Sequence, residues 1–414
     1  MMPIADLYQL FLESDGISID TRSVKPGMLF FALKGKNFNG NNFAKEAIEK
    51  GALAAVVSDQ SLNDEKYVYV SDTLVALQDL AHHHRKTFGA MPVIGITGTN
   101  GKTTTKELVA TVLQEKYRIV KTEGNLNNHI GVPLTLLRVR KSTEITIIEM
   151  GANHINDIRD LCAIAEPTHG VITNIGEAHL EGFGSKQGVA KAKGILYEWL
   201  RDQAGTIFIN KDDRDLTTLL YSIDAGCLAE TVRYGDEEVP ENKSLFGVFN
   251  DDNMRTAIAI GRAFKIPMVT IVKKLKNYIP NNMRSQILST KKGNDIILDA
   301  YNANPSSVKA ALHSFSLLKN NKPKWLILGD MKELGDHTHD AHLKILNDIT
   351  FYCFTNVILI GEAFFEVHAE MKKFASYKTM DDFFASPFAS SIKNANILIK
   401  GSNSMKMWHI AELL

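Results

Sequence analysis

Short apolar runs alternate with amphipathic, helix-length stretches along most of the chain. Residues 1–12 read as a first helix, 28–33 and 54–58 as strands, and 43–50 as a helix between them. This opening segment, to about Phe88, predicts a small α/β module. A new pattern begins at Met91 and Pro92: an apolar strand at 93–97, a glycine-rich turn, then a helix whose pairs Leu108/Val112 and Val109/Leu113 lie four apart. Further strands at 144–148, 170–173 and 206–209, separated by helix-length segments, predict a parallel, doubly wound sheet. Around Asn281 the alternation restarts, with a strand at 295–298, a helix at 306–318, and strands at 324–328, 356–360 and 396–399. The expected fold class is α/β in three domains. These are a small N-terminal α/β module (1–88), a central domain with a mostly parallel sheet of P-loop type (89–280) and a Rossmann-like C-terminal domain (281–414).

Composition narrows the function. A chain of 414 residues is too long for one core. Lys plus Arg and Asp plus Glu are 47 each, so no overall field draws the chain to nucleic acid or a membrane surface, and an anionic ligand must be held locally. Cys162, Cys227 and Cys353 are far apart, with no metal-ligand spacing and no disulfide framework, which suits a reducing compartment. There is no basic leader with a cleavage site, and runs such as 296–298 are far shorter than the roughly 20 residues that span a bilayer. A cytoplasmic protein without a membrane span is expected. The triplet His82-His83-His84 cannot chelate as a set, because helix neighbours point about 100° apart, and it is expected on a solvated helix face.

The strongest chemical signal is Gly98-Thr99-Asn100-Gly101-Lys102-Thr103-Thr104, set between an apolar strand and an amphipathic helix. Gly98 and Gly101 let backbone amides converge on phosphate oxygens, and the helix N-terminus adds partial positive charge. Lys102 can bridge the β and γ phosphates, and Thr103 can offer its hydroxyl to Mg²⁺. Two residues separate Gly98 from Gly101 where the common G-x-x-x-x-G-K-[ST] pattern has four, so the loop is shorter than that pattern.

In open parallel sheets, ligands gather at the carboxyl ends of strands, where Glu149 and His179 fall. A carboxylate and an imidazole there can hold divalent cations against a transferring phosphoryl group. Downstream, Ser185 can cap a helix carrying Lys191, Lys193, Tyr197 and Trp199. A lysine of this helix is either a solvated surface residue or, if buried and neutral, an amine able to take up CO₂ as a carbamate.

Together these residues resemble the Mur ligases. The phosphate loop, the stretch 123–128 with Ile130-Gly131-Val132-Pro133-Leu134, then Thr173-Asn174-Ile175-Gly176, Ala178-His179-Leu180-Glu181 and Ala192-Lys193 follow the family's order over almost the entire chain. The resemblance implies Thr103, Glu149, His179 and Lys193, the last as carbamate, as ligands of two Mg²⁺. It makes Lys102, Glu149, His179 and Lys193 the catalytic set. Asp299 to Pro305, Leu328 to Met331 and Glu333-Leu334-Gly335 look like the member that adds D-alanyl-D-alanine. Asn250 and Asn253 fall where the family contacts adenine, and Arg284 and Asp299 where the third domain closes over ATP. The implied substrate contacts are Thr21, Arg22 and Asn42 in the UDP-binding N-terminal module, Asn125, Asn127 and Asn128 in the central stretch, and Asn302, Asn304, Lys400 and Ser402 in the third domain. Two positions depart from the pattern: Phe249 stands where a histidine is frequent, and Ile195 where a glutamate is.

The implied reaction is phosphorylation by ATP of the terminal carboxylate of UDP-N-acetylmuramoyl-tripeptide, followed by attack of the D-alanyl-D-alanine amine on the acyl phosphate. The implied protein is a monomer. Rival readings are a sister ligase with another amino-acid acceptor, or a nucleotide-dependent switch that needs no second substrate pocket.

Overall fold

The computed structural model describes residues 2–178, 180–224, 229–319 and 321–414. His179 and Cys227 lie outside the described residues. The N-terminal strands Ile17–Ser18, Leu29–Phe31, Ala54–Val57 and Tyr67–Tyr69 form a four-stranded parallel sheet in that order. The helix Thr73–Lys86 starts where the Asp72 carboxylate accepts the backbone amides of Leu74 and Val75, and it packs on the helices Gly131–Leu136 and Asp157–Ala165 of the next unit. Leu7, Leu77 and Leu80 therefore share one apolar core with Val132, Leu161 and Leu196, and the first two units are joined by packing rather than merely tethered.

That packing corrects the expectation of a solvated histidine face. His84 is only 4% exposed; its Nδ1 lies 3.2 Å from the Tyr8 hydroxyl and its Nε2 3.0 Å from the Val139 carbonyl. His82 stays half-buried against Glu166 at 3.0 Å. The helix is sandwiched between Ile4–Glu13 and the central domain, so one position of three must turn inward.

The central sheet is parallel throughout, in the order Glu230–Tyr234, Thr206–Asn210, His169–Ile172, Val93–Thr97, Ile145–Glu149, Ile119–Lys121. Both faces are covered. Ile94, Ile96, Ile145 and Ile147 point into a core with the helices Lys102–Leu113 and Phe249–Ala263, while Val93 and Ile148 point into the opposite one. This period of two explains why the strands read as continuous apolar runs. The C-terminal sheet runs Gln286–Ser289, Asp295–Asp299, Asn396–Lys400, Lys324–Gly329, Asn356–Ile360, Ala375–Tyr377, with only the first strand antiparallel. The fold is thus α/β with a parallel central sheet and a mixed C-terminal sheet. Among the described residues no helix is long and apolar enough to cross a membrane.

Candidate active site

The strand Val93–Thr97 ends at Gly98, and the helix Lys102–Leu113 starts after Gly101; both glycines have positive φ, 145° and 83°. A Cβ on Gly98 would lie 1.9 Å from Thr173 Oγ1, and one on Gly101 2.5 Å from Asn253 Oδ1, so other residues are excluded by contact as well as by φ. The neighbouring strand's exit clamps the loop. Asn174 Oδ1 accepts the Asn100 amide at 3.0 Å, Thr173 Oγ1 donates to the Asn100 carbonyl at 2.5 Å, and the Thr99 amide donates to the Asn174 carbonyl at 3.0 Å. Lys102 folds back over the loop, its Nζ donating to the carbonyls of Gly98 (2.7 Å) and Thr99 (3.1 Å). Burial pushes its amine down to about 8, against the opposing pull of Glu149.

Glu149 is the last residue of its strand and almost fully buried. Its Oε1 accepts from Thr103 Oγ1 at 3.1 Å and Asn127 Nδ2 at 2.7 Å. Its Oε2 is buried and accepts no hydrogen bond among the described residues; the Lys106 Nζ stands 3.4 Å away. A buried carboxylate oxygen left so, beside a threonine hydroxyl, is a donor set that suits a hard divalent cation. Ser185 caps the helix Lys186–Asp202 through the Gly188 amide, and that helix buries Lys193 while Lys191 stays exposed. Burial, and then the charge of Lys102, hold the Lys193 amine well below the usual lysine range. No carboxylate pairs with it among the described residues. His179 cannot be placed, because it lies outside them.

A cavity of about 850 Å³ collects most of the sequence-predicted residues: the loop, Glu149, Asn125, Asn127, Asn128, Asn250, Asn253, Arg284, Asp299, Asn302, Asn304 and Lys400. Within it the asparagines play different parts. Asn128 Oδ1 holds the amides of Ile130 and Gly131 and so orders the start of the next helix. Asn253 Oδ1 accepts from Thr105 Oγ1 at 3.0 Å, and its amide donates to Asn250 Oδ1 at 2.7 Å. In the C-terminal domain Lys400 donates to Asp299 Oδ2 at 2.6 Å and to the Asn302 carbonyl at 3.1 Å. Arg284 stacks on Tyr301 at 3.9 Å, and its Nε is buried without a hydrogen-bond partner among the described residues. Phe249 lines the cavity at the start of the helix Phe249–Ala263.

Six predicted residues of the described ones do not line this cavity: Gly98, Lys193, Ser402, Thr21, Arg22 and Asn42. Ser402 Oγ accepts the Lys332 amide at 2.9 Å. Thr21, Arg22 and Asn42 lie on the N-terminal domain; Arg22 is exposed and pairs with Asp20, its Nε 2.9 Å from Oδ1. Three other residues of the site carry little sequence signal. Ser306 Oγ accepts from Asn100 Nδ2 at 2.9 Å, Tyr301 carries Arg284, and Lys106 touches Glu149. Only Lys106, a lysine one turn beyond Lys102 on a helix otherwise buried, interrupts a pattern that could have marked it.

Comparison with known proteins agrees with this geometry. Residues 13–85 match the Mur ligase family catalytic domain, 96–268 the Mur ligase middle domain, and 283–403 the Mur ligase glutamate ligase domain. The UDP-N-acetylmuramoyl-tripeptide–D-alanyl-D-alanine ligase of Bacillus subtilis (strain 168) is 35% identical, with 96% of this chain and 92% of that protein covered. The enzyme of the same name from Buchnera aphidicola (Baizongia pistaciae) is 33% identical over 99% and 94%. Among solved structures, MurF from Acinetobacter baumannii superposes with a TM-score of 0.86 at 27% identity, covering 98% of this chain and 97% of that one. MurF ligase from Thermotoga maritima in complex with ADP gives 0.83 at 24% identity, with 97% of both chains covered. With its three consecutive domains matched and relatives of this identity along nearly its full length, the chain belongs to the Mur ligase family, among the UDP-N-acetylmuramoyl-tripeptide–D-alanyl-D-alanine ligases.

Proposed function

We propose that this chain is the ATP-dependent ligase that joins D-alanyl-D-alanine to UDP-N-acetylmuramoyl-tripeptide through an acyl phosphate, in bacterial peptidoglycan precursor synthesis. The observation that carries the reading is the convergence of the phosphate loop and the buried Glu149 carboxylate in one cavity that the C-terminal domain also lines. The relatives bear the name of this activity, and a structural neighbour was solved with ADP. The domain division proposed is 1–88 for the UDP-sugar, 89–280 for ATP and 281–414 for closure and the acceptor. The protein is proposed to act in the cytoplasm as a monomer.

Mg²⁺ held by Glu149 and Thr103, with a second site at His179 and Lys193, would supply charge neutralisation of the transferring phosphoryl group. The chain's own residues do the rest. Lys102 exchanges its two loop carbonyls for phosphate oxygens, and the amides from Gly98 to Thr104 cradle them. Arg284, with an unpartnered buried Nε, turns toward the nucleotide from the C-terminal domain. Asn125 and Asn127 hold the carboxylate-bearing peptide near Glu149, so its carboxylate and the γ phosphate meet with water excluded. Lys193, buried and without a carboxylate partner among the described residues, takes up CO₂: its nitrogen forms the new N–C bond and releases one proton.

The deciding experiment is phosphate release with ATP, UDP-N-acetylmuramoyl-tripeptide and D-alanyl-D-alanine, each omitted in turn. Release that requires all three supports the proposal; release that continues without the dipeptide overturns it.

A further inference from the structure

One buried charged group behind the cavity wall, against Glu149, has no part in the chemistry above. Lys106 is 0% exposed, and its Nζ lies where three segments meet: 3.4 Å from Glu149 Oε2, 3.3 Å from Glu107 Oε1 and 3.3 Å from the carbonyl of Gly124. Glu107 is also engaged by Lys121. A lysine needed only to satisfy Glu107 would have no reason to sit against Glu149, whose Oε2 accepts no hydrogen bond and is the donor left for a cation. Nor would it need the carbonyl of Gly124, in the stretch 123–128 that lines the cavity through Asn125, Asn127 and Asn128.

We propose that Lys106 is a positioning residue that competes with the divalent cation for Glu149 while pinning the substrate stretch 123–128 against the phosphate-loop helix. The physical reason is that two cations cannot both be fully stabilised by one carboxylate oxygen in a dry wall. When a divalent cation engages Oε2, the lysine's remaining acceptors are Glu107 and the Gly124 carbonyl. Cation arrival therefore tightens the hold on the stretch that meets the peptide-bearing substrate. A second strut runs in parallel, since Asn127 Nδ2 donates to Glu149 Oε1. The inference rests on the reading of Glu149 as a cation ligand.

The test uses the full chain with Lys106→Met and Lys106→Arg. Mn²⁺ binding in the presence of ADP is followed by electron paramagnetic resonance, and KM is measured for the UDP-linked tripeptide. The methionine variant is expected to bind Mn²⁺ roughly tenfold more tightly and to raise the KM for the UDP-linked tripeptide several-fold. The arginine variant should stay close to wild type in both. Opposite signs are the signature, because a merely structural loss weakens both together; weakening of both, or no change in Mn²⁺ binding, overturns the proposal. If the methionine variant does not fold, Lys106→Gln removes the charge, keeps a donor for Gly124, and carries the same comparison. Glu149→Gln separates the two layers: Mn²⁺ binding unaffected by it removes the cation site itself, and the competition with it.

Discussion

Asn100 of the phosphate loop and Asn304 of the C-terminal domain, 204 positions apart, share a hydrogen bond of 2.9 Å from the Asn304 amide to Asn100 Oδ1. Asn100 Nδ2 donates in turn to Ser306 Oγ, and Ser306 Oγ donates to Asn304 Oδ1. The loop that grips phosphate is thus tied to the cap of the helix Pro305–Ser316, so C-terminal closure and loop geometry are one event. Asn100→Ala removes the tie. Asn304→Asp keeps the cap acceptor for the Ser307 amide but loses the donor. Each is expected to lower kcat by roughly fivefold, about 1 kcal/mol, with KM for ATP less affected. The double variant should fall well short of the product of the two. Fully additive losses in a double-mutant cycle would show that the two asparagines act separately.

Lys102 spans the loop carbonyls only as a resting arrangement, since its two hydrogen bonds are to acceptors that the loop itself provides. Lys102→Ala removes the half-buried amine that bonds the two loop carbonyls. Its melting temperature should therefore stay near wild type while acceptor-dependent phosphate release drops by about 100-fold or more. Near-normal turnover would displace the phosphate site from this loop.

What the sequence discloses follows from where each constraint originates. The phosphate loop is legible because the positive φ of Gly98 and Gly101 and the lysine and threonine beside them are local requirements, written within seven residues. The central strands are legible because burial on both faces makes each a plain apolar run. By contrast Ser306 meets Asn100 only after 206 positions of chain have folded, and nothing near Ser306 announces it. The edge strand Gln286–Ser289 is half exposed and antiparallel, and its pairing is fixed by its partner Asp295–Asp299 rather than by its own pattern. Likewise His84 is buried by packing between two helices that sequence spacing does not bring together. Ser402 is a motif residue whose hydroxyl accepts the Lys332 amide, a contact the motif does not announce.

Two buried histidines, His84 and His342, and the half-buried His169 set a pH dependence of stability. His84, His169 and His342 are each held below the ordinary imidazole value of 6.5, first of all by burial. The neutral form also fits their bonding: His342 Nε2 accepts the Met331 amide at 3.1 Å while Nδ1 lies 2.7 Å from the Thr338 carbonyl. As pH falls through 6.5, the unfolded chain takes up protons that the folded chain refuses. The unfolded state then binds more protons, so stability rises with pH in that window and is lost on acidification below it. The melting temperature should be level near pH 7 to 8 in this respect and decline as pH goes below about 6.5. A melting temperature that climbed between pH 6.5 and 5.5 would contradict the assignment of these three groups as neutral.

Lys193 offers the most direct chemical test. Its amine is buried beside Lys102, with no carboxylate in reach among the described residues, and as an ammonium it would repel both Lys102 and any cation at Glu149. Conversion to a carbamate changes its charge from positive to negative and makes it an oxygen donor, so the same position becomes attractive to a divalent cation. Lys193→Ala should then cost about 100-fold in turnover, because it deletes that donor. Short carboxylates such as acetate fit the space vacated by the side chain and should restore a measurable part of the activity in a saturable way. Thorough removal of CO₂ and bicarbonate should slow the wild type but leave the alanine variant unaffected, and ¹³CO₂ should label the wild type at a single lysine. Full activity of Lys193→Ala without any added carboxylate would show that the lysine works, if at all, as an ordinary buried amine.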